Sequence, residues 1–566
     1  MKWINLLFFF ISVNGFSQTN TTPTYNELIV YYSNLAKLNP DISLFNMGES
    51  DYGEPIYLCV LGAENDSIST FESLQESTTL LINNAIHAGE PCGVNASIQI
   101  VKEYVVLTSE EKKQYPKIAI IPAYNVGGMY NRSSTSRANQ VGPEEYGFRG
   151  NAQNLDLNRD FIKMDSRNME VFAKIYHGID PDVFIDTHTS NGADYQYTIT
   201  YIASLRERMS NSLADLVYDE MLPELTTKIK SNYNYDLFPY ISMAGDRIRE
   251  GIVAFNDLPR YSMGYCNLFN TISFTTETHM LKPFEERVRS TFAFIKETID
   301  YMQINSEAIE KGRVLAFKED RAKHFYTYNY VIDSVRNNNS KITFKGYDYQ
   351  DIPSRLTPQK RLFYNRAKPF EDEIPFYFHY SPQDTLRIPT HYIIGKQAKD
   401  VIQRLKLNGV DVDFFNKDTT VIANRIKVNS YETRNAPYEG HYLHYNTKVE
   451  RAAQAVLIKK GDILVKTDQK KRKFIVSVLA PETEDSYFSW NFFDSYLQQK
   501  EYFSPYVFEE KAIEILDKKP ELKIAYNKKQ KEEGFVDSRW NQLYFIYKNS
   551  PYYEPTHLIL PVFELN

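Results

Sequence analysis

Thr79-Leu80-Leu81-Ile82-Asn83-Asn84-Ala85-Ile86-His87-Ala88-Gly89-Glu90-Pro91-Cys92-Gly93 runs from an apolar segment into a short loop, and an amphipathic run from Val94 to Val106 follows. This order predicts a strand, a tight connection and a helix. His87 and Glu90 lie three residues apart where the strand stops, so both side chains can converge on one cation. Zinc accepts imidazole nitrogen and carboxylate oxygen at about 2.0–2.2 Å, and a catalytic zinc needs a third protein ligand plus an open position for water. His-x-x-Glu alone equally fits a polar loop at a strand end, so the reading turns on a third ligand.

Outward from this stretch, the first half alternates strands and helices. A helix is expected over Tyr25 to Leu38 and a strand over Ile56 to Leu61. Lys117 to Tyr124 reads as a buried strand that ends at Asn125 and a Gly127-Gly128 turn. Asn131 to Asn154 reads as loop and closes with Leu155-Asp156-Leu157-Asn158-Arg159-Asp160-Phe161. A helix over Ser166 to Tyr176 leads to the strand Val183 to Asp186, followed by Thr187-His188-Thr189-Ser190. Helical patterns fill Ser204 to Lys230, Ile272 to Thr276 is a strand ending at Glu277, and a last helix covers about Glu285 to Met302. Such alternation predicts an α/β fold with a mixed, largely parallel sheet and flanking helices. His87, Asn125, His188 and Glu277 each fall at a strand end, where open α/β sheets bind ligands.

Composition narrows the function. The 566 residues exceed a single core, so two or three domains are expected. The 65 basic and 72 acidic residues give a net charge of −7 with no long basic block, which argues against a nucleic-acid partner. Met1 to Val13 carries one Lys and then a short apolar core, with small residues Gly15 and Ser17 after it. That reads as a signal peptide over residues 1–17 and predicts an exported chain, secreted or periplasmic, with no membrane span. No Cys near the cleavage point suggests a lipid anchor, and the segment from Gln18 to Tyr25 leaves no room for an N-terminal pro-domain. Cys59, Cys92 and Cys266 are too few for a disulfide scaffold. Cys92 reads as a small packed residue at a helix start, with a thiolate ligand as the alternative.

His188 supplies the missing ligand, and Asp186 two residues before it can orient the imidazole. His87, Glu90 and His188 complete a two-His, one-carboxylate zinc set with a vacant position. Zinc there would polarise a carbonyl and lower the pKa of bound water. Glu277 suits the proton acceptor that later serves the leaving amine. Arg149 offers a cationic donor for the oxyanion, and the planar guanidinium of Arg159 can read a carboxylate with two parallel bonds.

These pieces, in this order, resemble the zinc carboxypeptidases of the carboxypeptidase A-like family over roughly residues 25–305. His87-x-x-Glu90 resembles the motif of the first two zinc ligands, and His188 in Asp186-Thr187-His188 resembles the third. Arg149 to Arg159 resembles the Arg…Asp-Leu-Asn-Arg element. The resemblance implies that Arg149 is the oxyanion arginine and that Asn158 and Arg159 hold the substrate's terminal carboxylate. Phe274-Thr275-Thr276-Glu277-Thr278-His279 resembles the segment of the general acid/base glutamate. The implied cofactor is one Zn2+ per chain, and the implied partner is a peptide with a free C-terminal carboxylate. The family's Asn-Pro-Asp-Gly stands here as Asn125-Val126-Gly127-Gly128. Tyr261 and Tyr265 both lie near the expected place of the substrate-capping tyrosine, and Arg132 and Arg137 share the loop of Arg149.

From about residue 316 short aromatic strands dominate, such as His324 to Tyr328 and Phe376 to Tyr380. A helix at Ala398 to Leu407 precedes a strand at Val410 to Phe414, and late helices are expected at Phe492 to Leu497 and Glu509 to Leu516. The expected organisation is a signal peptide over 1–17, a catalytic domain over 18–315, a β-rich accessory region over 316–440 and an α/β accessory region over 441–566. The 43 tyrosines fit aromatic β cores, and the pair His441 and His444 reads as surface histidines. No catalytic set is visible in this half, which is expected to pack on the catalytic domain or shape access to it.

The leading expectation is therefore an exported zinc carboxypeptidase. A zinc amidase acting on cell-wall peptides or acyl-amino acids would use the same site with a different pocket. A non-catalytic peptide- or glycan-binding protein on this scaffold would have no use for Glu277 together with all three ligands.

Overall fold

The structure, a computed structural model, describes residues 20–64 and 66–566. The expected signal peptide lies outside them. Among the described residues no helix is long and apolar enough to cross a membrane.

The first half is built on one mixed sheet. Its strands are β1 (Ile42–Glu49), β2 (Pro55–Leu61), β3 (Thr79–Asn83), β4 (Lys117–Ile121), β5 (Val183–Ser190), β6 (Ile199–Ala203), β7 (Leu237–Pro239) and, after two short strands β8 (Ser242–Met243) and β9 (Ile252–Val253), β10 (Ile272–His279). They lie in the order β1-β2-β4-β3-β5-β10-β6-β7. The central four, β4-β3-β5-β10, are parallel, while β1, β2 and β6 join antiparallel. Every residue of β3 and of β5 is buried. Strands covered on both faces by helices require such runs, which explains why they carry so little alternation. The helix Cys92–Val106 crosses from β3 to β4 and packs against the helix Phe284–Ala322. The α/β architecture with a largely parallel sheet is as expected.

Four expectations are corrected. β5 and β10 do not stop before the site but run through it, with Glu277 in register beside His188. The Gly127-Gly128 turn is a short helix, Val126–Tyr130, capped where Asn125 Oδ1 accepts the Gly128 N–H at 2.8 Å. The last helix of the first half reaches Ala322, with a break at Asn305. Beyond that break Ile309 and Ala316 are buried and polar contacts add to the hold, Arg313 donating to Asp180 and Asp182 at 2.7 Å each, which apolar periodicity does not report. Of the strand expected at Val410 to Phe414 only Asp413–Phe414 forms.

The second half is β-rich. Strands β11 (Phe325–Ile332) and β14 (Tyr380–Arg387) pair, and β12 (Lys341–Pro353) and β13 (Lys360–Tyr377) form a long hairpin that continues through β9 to β8 of the first half. A six-stranded sheet follows, made of β15 (His391–Ile394), β16 (Asp413–Phe414), β17 (Thr419–Thr433), β18 (His444–Ile458), β19 (Ile463–Lys466) and β20 (Ile559–Leu565). Residues 440 and 441 lie in the turn joining β17 to β18, two paired strands of that sheet. Helices Pro505–Lys518, Pro520–Lys529 and Arg539–Lys548 form a small aromatic cluster of their own. One core spans both halves: Phe269 stacks on Phe474 at 5.3 Å, and the Tyr265 hydroxyl donates to Asn408 Oδ1 at 2.6 Å.

Candidate functional site

The parallel strands place the site at their carboxyl ends, as the topology dictates. After β3 the chain turns through Ala85, held at a φ of +57°, and delivers His87. The Glu90 N–H then donates to the His87 carbonyl at 2.9 Å, a tight turn that brings both side chains to one side. The helix that follows packs so close to β5 that a Cβ on Gly93 would sit 2.0 Å from Thr187 Oγ1. Only glycine permits that approach, and it sets Glu90 against His188.

His87, Glu90 and His188 are all buried, and one ligand atom from each lies within 4.8 Å of the others. His87 Nδ1 is 3.2 Å from Glu90 Oε1, and His188 Nδ1 is 3.2 Å from Glu90 Oε2. Ligands about 2.1 Å from a tetrahedral metal lie roughly 3.4 Å apart, so this spacing suits one ion. The far nitrogens are taken by carboxylates. His87 Nε2 is 2.9 Å from Asp156 Oδ1, and His188 Nε2 is 3.0 Å from Asp186 Oδ2. Both pairings fix the ring and leave Nδ1 as the metal-facing atom. Asp186 is itself held by the Ser262 hydroxyl at 2.6 Å and by Asn83 Nδ2 at 3.1 Å. Two imidazoles and one carboxylate, each with its outer partner in place, fit a resident metal.

Electrostatics follow from these contacts. Burial works to raise Glu90, but Arg137 and His87 outweigh it and hold the carboxylate well below its usual range. Burial also works to raise Asp156, and His87 and Arg149 reverse it, leaving that group ionised as well. Glu277 is different: burial pushes it up to about 7, with His188 lowering and Glu90 raising it. Its Oε2 is shielded from water and has no hydrogen-bond partner among the described residues, while its side chain lines the cavity that the three ligands face.

That cavity holds about 500 Å3. Arg149, Asn158 and Arg159 line it too. Arg149 donates from Nε and Nη2 to Asp156 Oδ2 at 3.0 and 2.8 Å, and its Nη1 lies 3.3 Å from His87 Nδ1. Arg137 reaches the same place: Nη1 donates to Glu90 Oε1 at 2.5 Å and Nη2 to the Thr189 carbonyl at 2.7 Å. Asn158 Oδ1 accepts the Ser262 N–H at 2.9 Å, which turns its amide nitrogen to within 3.5 Å of His188. Arg159 packs on the Tyr261 ring at 4.5 Å.

His87, Glu90, His188, Glu277, Arg149, Asn158 and Arg159 thus meet in one cavity. Of the two tyrosines left open, Tyr261 lines it, whereas Tyr265 is buried in the core against His177 and Asn408. Arg132 is tied to the backbone of Thr22 and Pro23 and does not line the cavity. Cys92 Sγ lies 3.5 Å from Thr189 Oγ1 and 3.6 Å from Arg287, outside the ligand cluster. His441 and His444 face Asp165 and Asp494 separately and form no metal-type cluster among the described residues. Sequence reading missed Tyr240, which lines the cavity from the loop after β7. It also missed Tyr438, whose hydroxyl accepts from Arg159 Nε at 2.9 Å across the boundary between the halves.

No family model matches the chain. It is 21% identical over 503 residues to carboxypeptidase 2 of Trichophyton rubrum, covering 84% of this chain and 85% of that protein. It is 22% identical over 501 residues to carboxypeptidase 2 of Trichophyton equinum, again covering 84% and 85%. Matches of this length cannot fit within the first 315 residues, so they include part of the second half. Among solved structures the chain is similar to carboxypeptidase A from Helicoverpa armigera, with 16% identity, a TM-score of 0.36, and 53% and 75% of the two chains covered. The likeness to carboxypeptidase 2 agrees with the carboxypeptidase resemblance read from the sequence.

Proposed function

We propose that this chain is an exported, zinc-dependent carboxypeptidase that hydrolyses the last peptide bond of peptides with a free C-terminal carboxylate. His87 Nδ1, Glu90 and His188 Nδ1 would hold one Zn2+. When bound, zinc supplies a Lewis acid that polarises the scissile carbonyl and acidifies water. Residues 1–17 would direct export, residues 18–315 would carry catalysis, and the remainder would be accessory.

This chain's own groups do the rest. Glu277 takes the proton from the attacking water and returns it to the leaving amine, a task that suits a carboxyl titrating near neutrality. Arg149 donates to the carbonyl oxygen as negative charge develops there. Asn158 and Arg159 receive the terminal carboxylate and so select the chain end over internal bonds. Ile202, Phe255, Met263 and Thr275 line the cavity with uncharged surface, which fits a C-terminal residue with a neutral side chain.

One observation carries the reading: the shielded, unpartnered oxygen of Glu277 beside a buried His-Glu-His cluster. A polar atom left so costs about 1–3 kcal/mol, and a chain that only binds peptides has no need of it. The test is Glu277→Gln. Release of C-terminal residues should fall at least about a thousandfold, the scale of general base catalysis together with loss of water activation, while zinc content is retained. Substantial trimming by this variant would contradict the assigned mechanism. Trimming of cell-wall peptides with none of ordinary peptides would move the substrate to the amidase class.

A further inference from the structure

We propose that Tyr438, at the tip of the β17–β18 hairpin, is a positioning residue that aims Arg159 at the substrate's terminal carboxylate, so that the carboxylate site is assembled from both halves of the chain. This rests on the carboxypeptidase reading above.

The tip is shaped for the purpose. The Tyr438 N–H donates to the His441 carbonyl at 2.7 Å and the His441 N–H to the Tyr438 carbonyl at 3.1 Å. Between them Glu439 and Gly440 have φ of +49° and +84°, the left-handed pair of a type I′ turn. Glycine takes that conformation freely, whereas Glu439 is held there against its preference. Its carboxylate explains the position, because Oε2 accepts the Asp156 N–H at 2.7 Å. His441 Nε2 lies 2.7 Å from Asp165 Oδ2. Three residues of the tip therefore grip the 156–165 segment, the one that carries Asp156, Asn158 and Arg159.

Tyr438 acts on the guanidinium itself. Arg159 donates Nε–H to the Tyr438 hydroxyl at 2.9 Å and Nη1–H to the Asn158 carbonyl at 2.8 Å, with one face on the Tyr261 ring. These contacts fix the plane; Nη1 also lies 3.8 Å from Asp156 Oδ2, beyond hydrogen-bond reach, so the outer Nη edge can still take a carboxylate with paired bonds. The Tyr438 ring is held from behind. It lies against Trp490 at 6.3 Å with an interplanar angle of 26°, and Arg260, paired with Asp485 at 2.8 Å, packs on both rings. A lone arginine on a loop would sample many rotamers, and here the second half removes that freedom.

The experiment measures binding to the full-length, zinc-loaded chain carrying Glu277→Gln, so that turnover is not needed. The probes are a short peptide ending in phenylalanine with a free carboxylate and the same peptide as its C-terminal amide. In this background the free acid should bind more tightly than the amide. Adding Tyr438→Phe, which keeps the ring and removes only the hydroxyl, should reduce that preference on the order of tenfold, the scale of one hydrogen bond to a charged group. Zinc content and thermal midpoint should not change. Adding it to Arg159→Ala should cost nothing further, because the hydroxyl acts through that guanidinium. A preference that survives Tyr438→Phe but is abolished by Arg159→Ala overturns the inference and leaves the carboxypeptidase reading standing. Equal losses from Tyr438→Phe with and without Arg159 also overturn it. No preference for the free acid in the Glu277→Gln background overturns the carboxypeptidase reading itself.

Discussion

At His87 and His188 a carboxylate on Nε2 decides which nitrogen is left for the metal. Asp156 and Asp186 should therefore matter to metal affinity without touching the ion. Asp156→Asn is expected to weaken metal binding roughly 10–100-fold, measured by competition with a chelator, and an unchanged affinity would exclude the role. Asp186 was legible in the sequence, because it stands two residues before His188 on the same strand. Asp156 could be read only as part of a motif, since its contact with His87 spans 69 residues of chain. Another residue-scale consequence concerns acid. His279 is buried, with Nε2–H donated to the Ala193 carbonyl at 2.9 Å and Nδ1 accepting the Leu281 N–H at 3.1 Å. Burial, with Lys282 beside it, pushes its pKa down to about 4. The unfolded chain takes up a proton near the ordinary imidazole value, about 6.5, which the folded chain refuses. Stability is thus complete above about pH 6.5 and declines as pH falls toward 4, by up to about 3 kcal/mol from this group. His279→Gln, which keeps a donor and an acceptor, should flatten that part of the profile in denaturant titrations. An unaltered slope between pH 6.5 and 4 would show that the imidazole does not resist protonation.

At the scale of elements, the site depends on how closely the helix Cys92–Val106 lies on β5. Its start is wedged over Thr187, with Gly93 as the point of contact. Gly93→Ala should force the helix off β5, carry Glu90 away from His188, and lower both metal occupancy and thermal stability, the latter by about 1–3 kcal/mol as for overpacking. Full metal occupancy in that variant would mean the spacing tolerates a methyl group. The elements that carry the ligands were legible because each motif sits at a buried run: β3 before His87, β5 around His188, β10 around Glu277. Their lengths were less so. Thr276 to His279 looks polar, and it stays extended because Thr187 to Ser190 pairs with it residue by residue. The helix that ends at Ala322 outran its apolar pattern because Arg313 is satisfied by aspartates from the 180–182 segment. Tyr240 and Tyr438 have no local pattern at all, since the folding of distant loops alone puts Tyr240 at the cavity and Tyr438 against Arg159.

At the scale of the whole molecule, the two halves share a core and, by the inference above, a substrate site. Tyr265 and Phe269 of the first half are covered by Asn408 and Phe474 of the second, and Arg208 donates to Glu484 at 3.2 Å. Cutting the chain after Ala322 would uncover those aromatics, so residues 18–322 alone are expected to aggregate or lose cooperative melting. A soluble fragment with a sharp transition and full activity would argue that the second half is dispensable. The most direct measurement of the central claim is zinc content of the purified chain together with release of C-terminal residues from a mixed peptide pool, with and without a chelator. The expected result is about one zinc per chain, the stoichiometry of a single catalytic site, and stepwise trimming that stops on chelation and returns with zinc. A chain that binds no zinc, or trims equally well without it, would contradict the assignment of His87, Glu90 and His188 as a catalytic metal site.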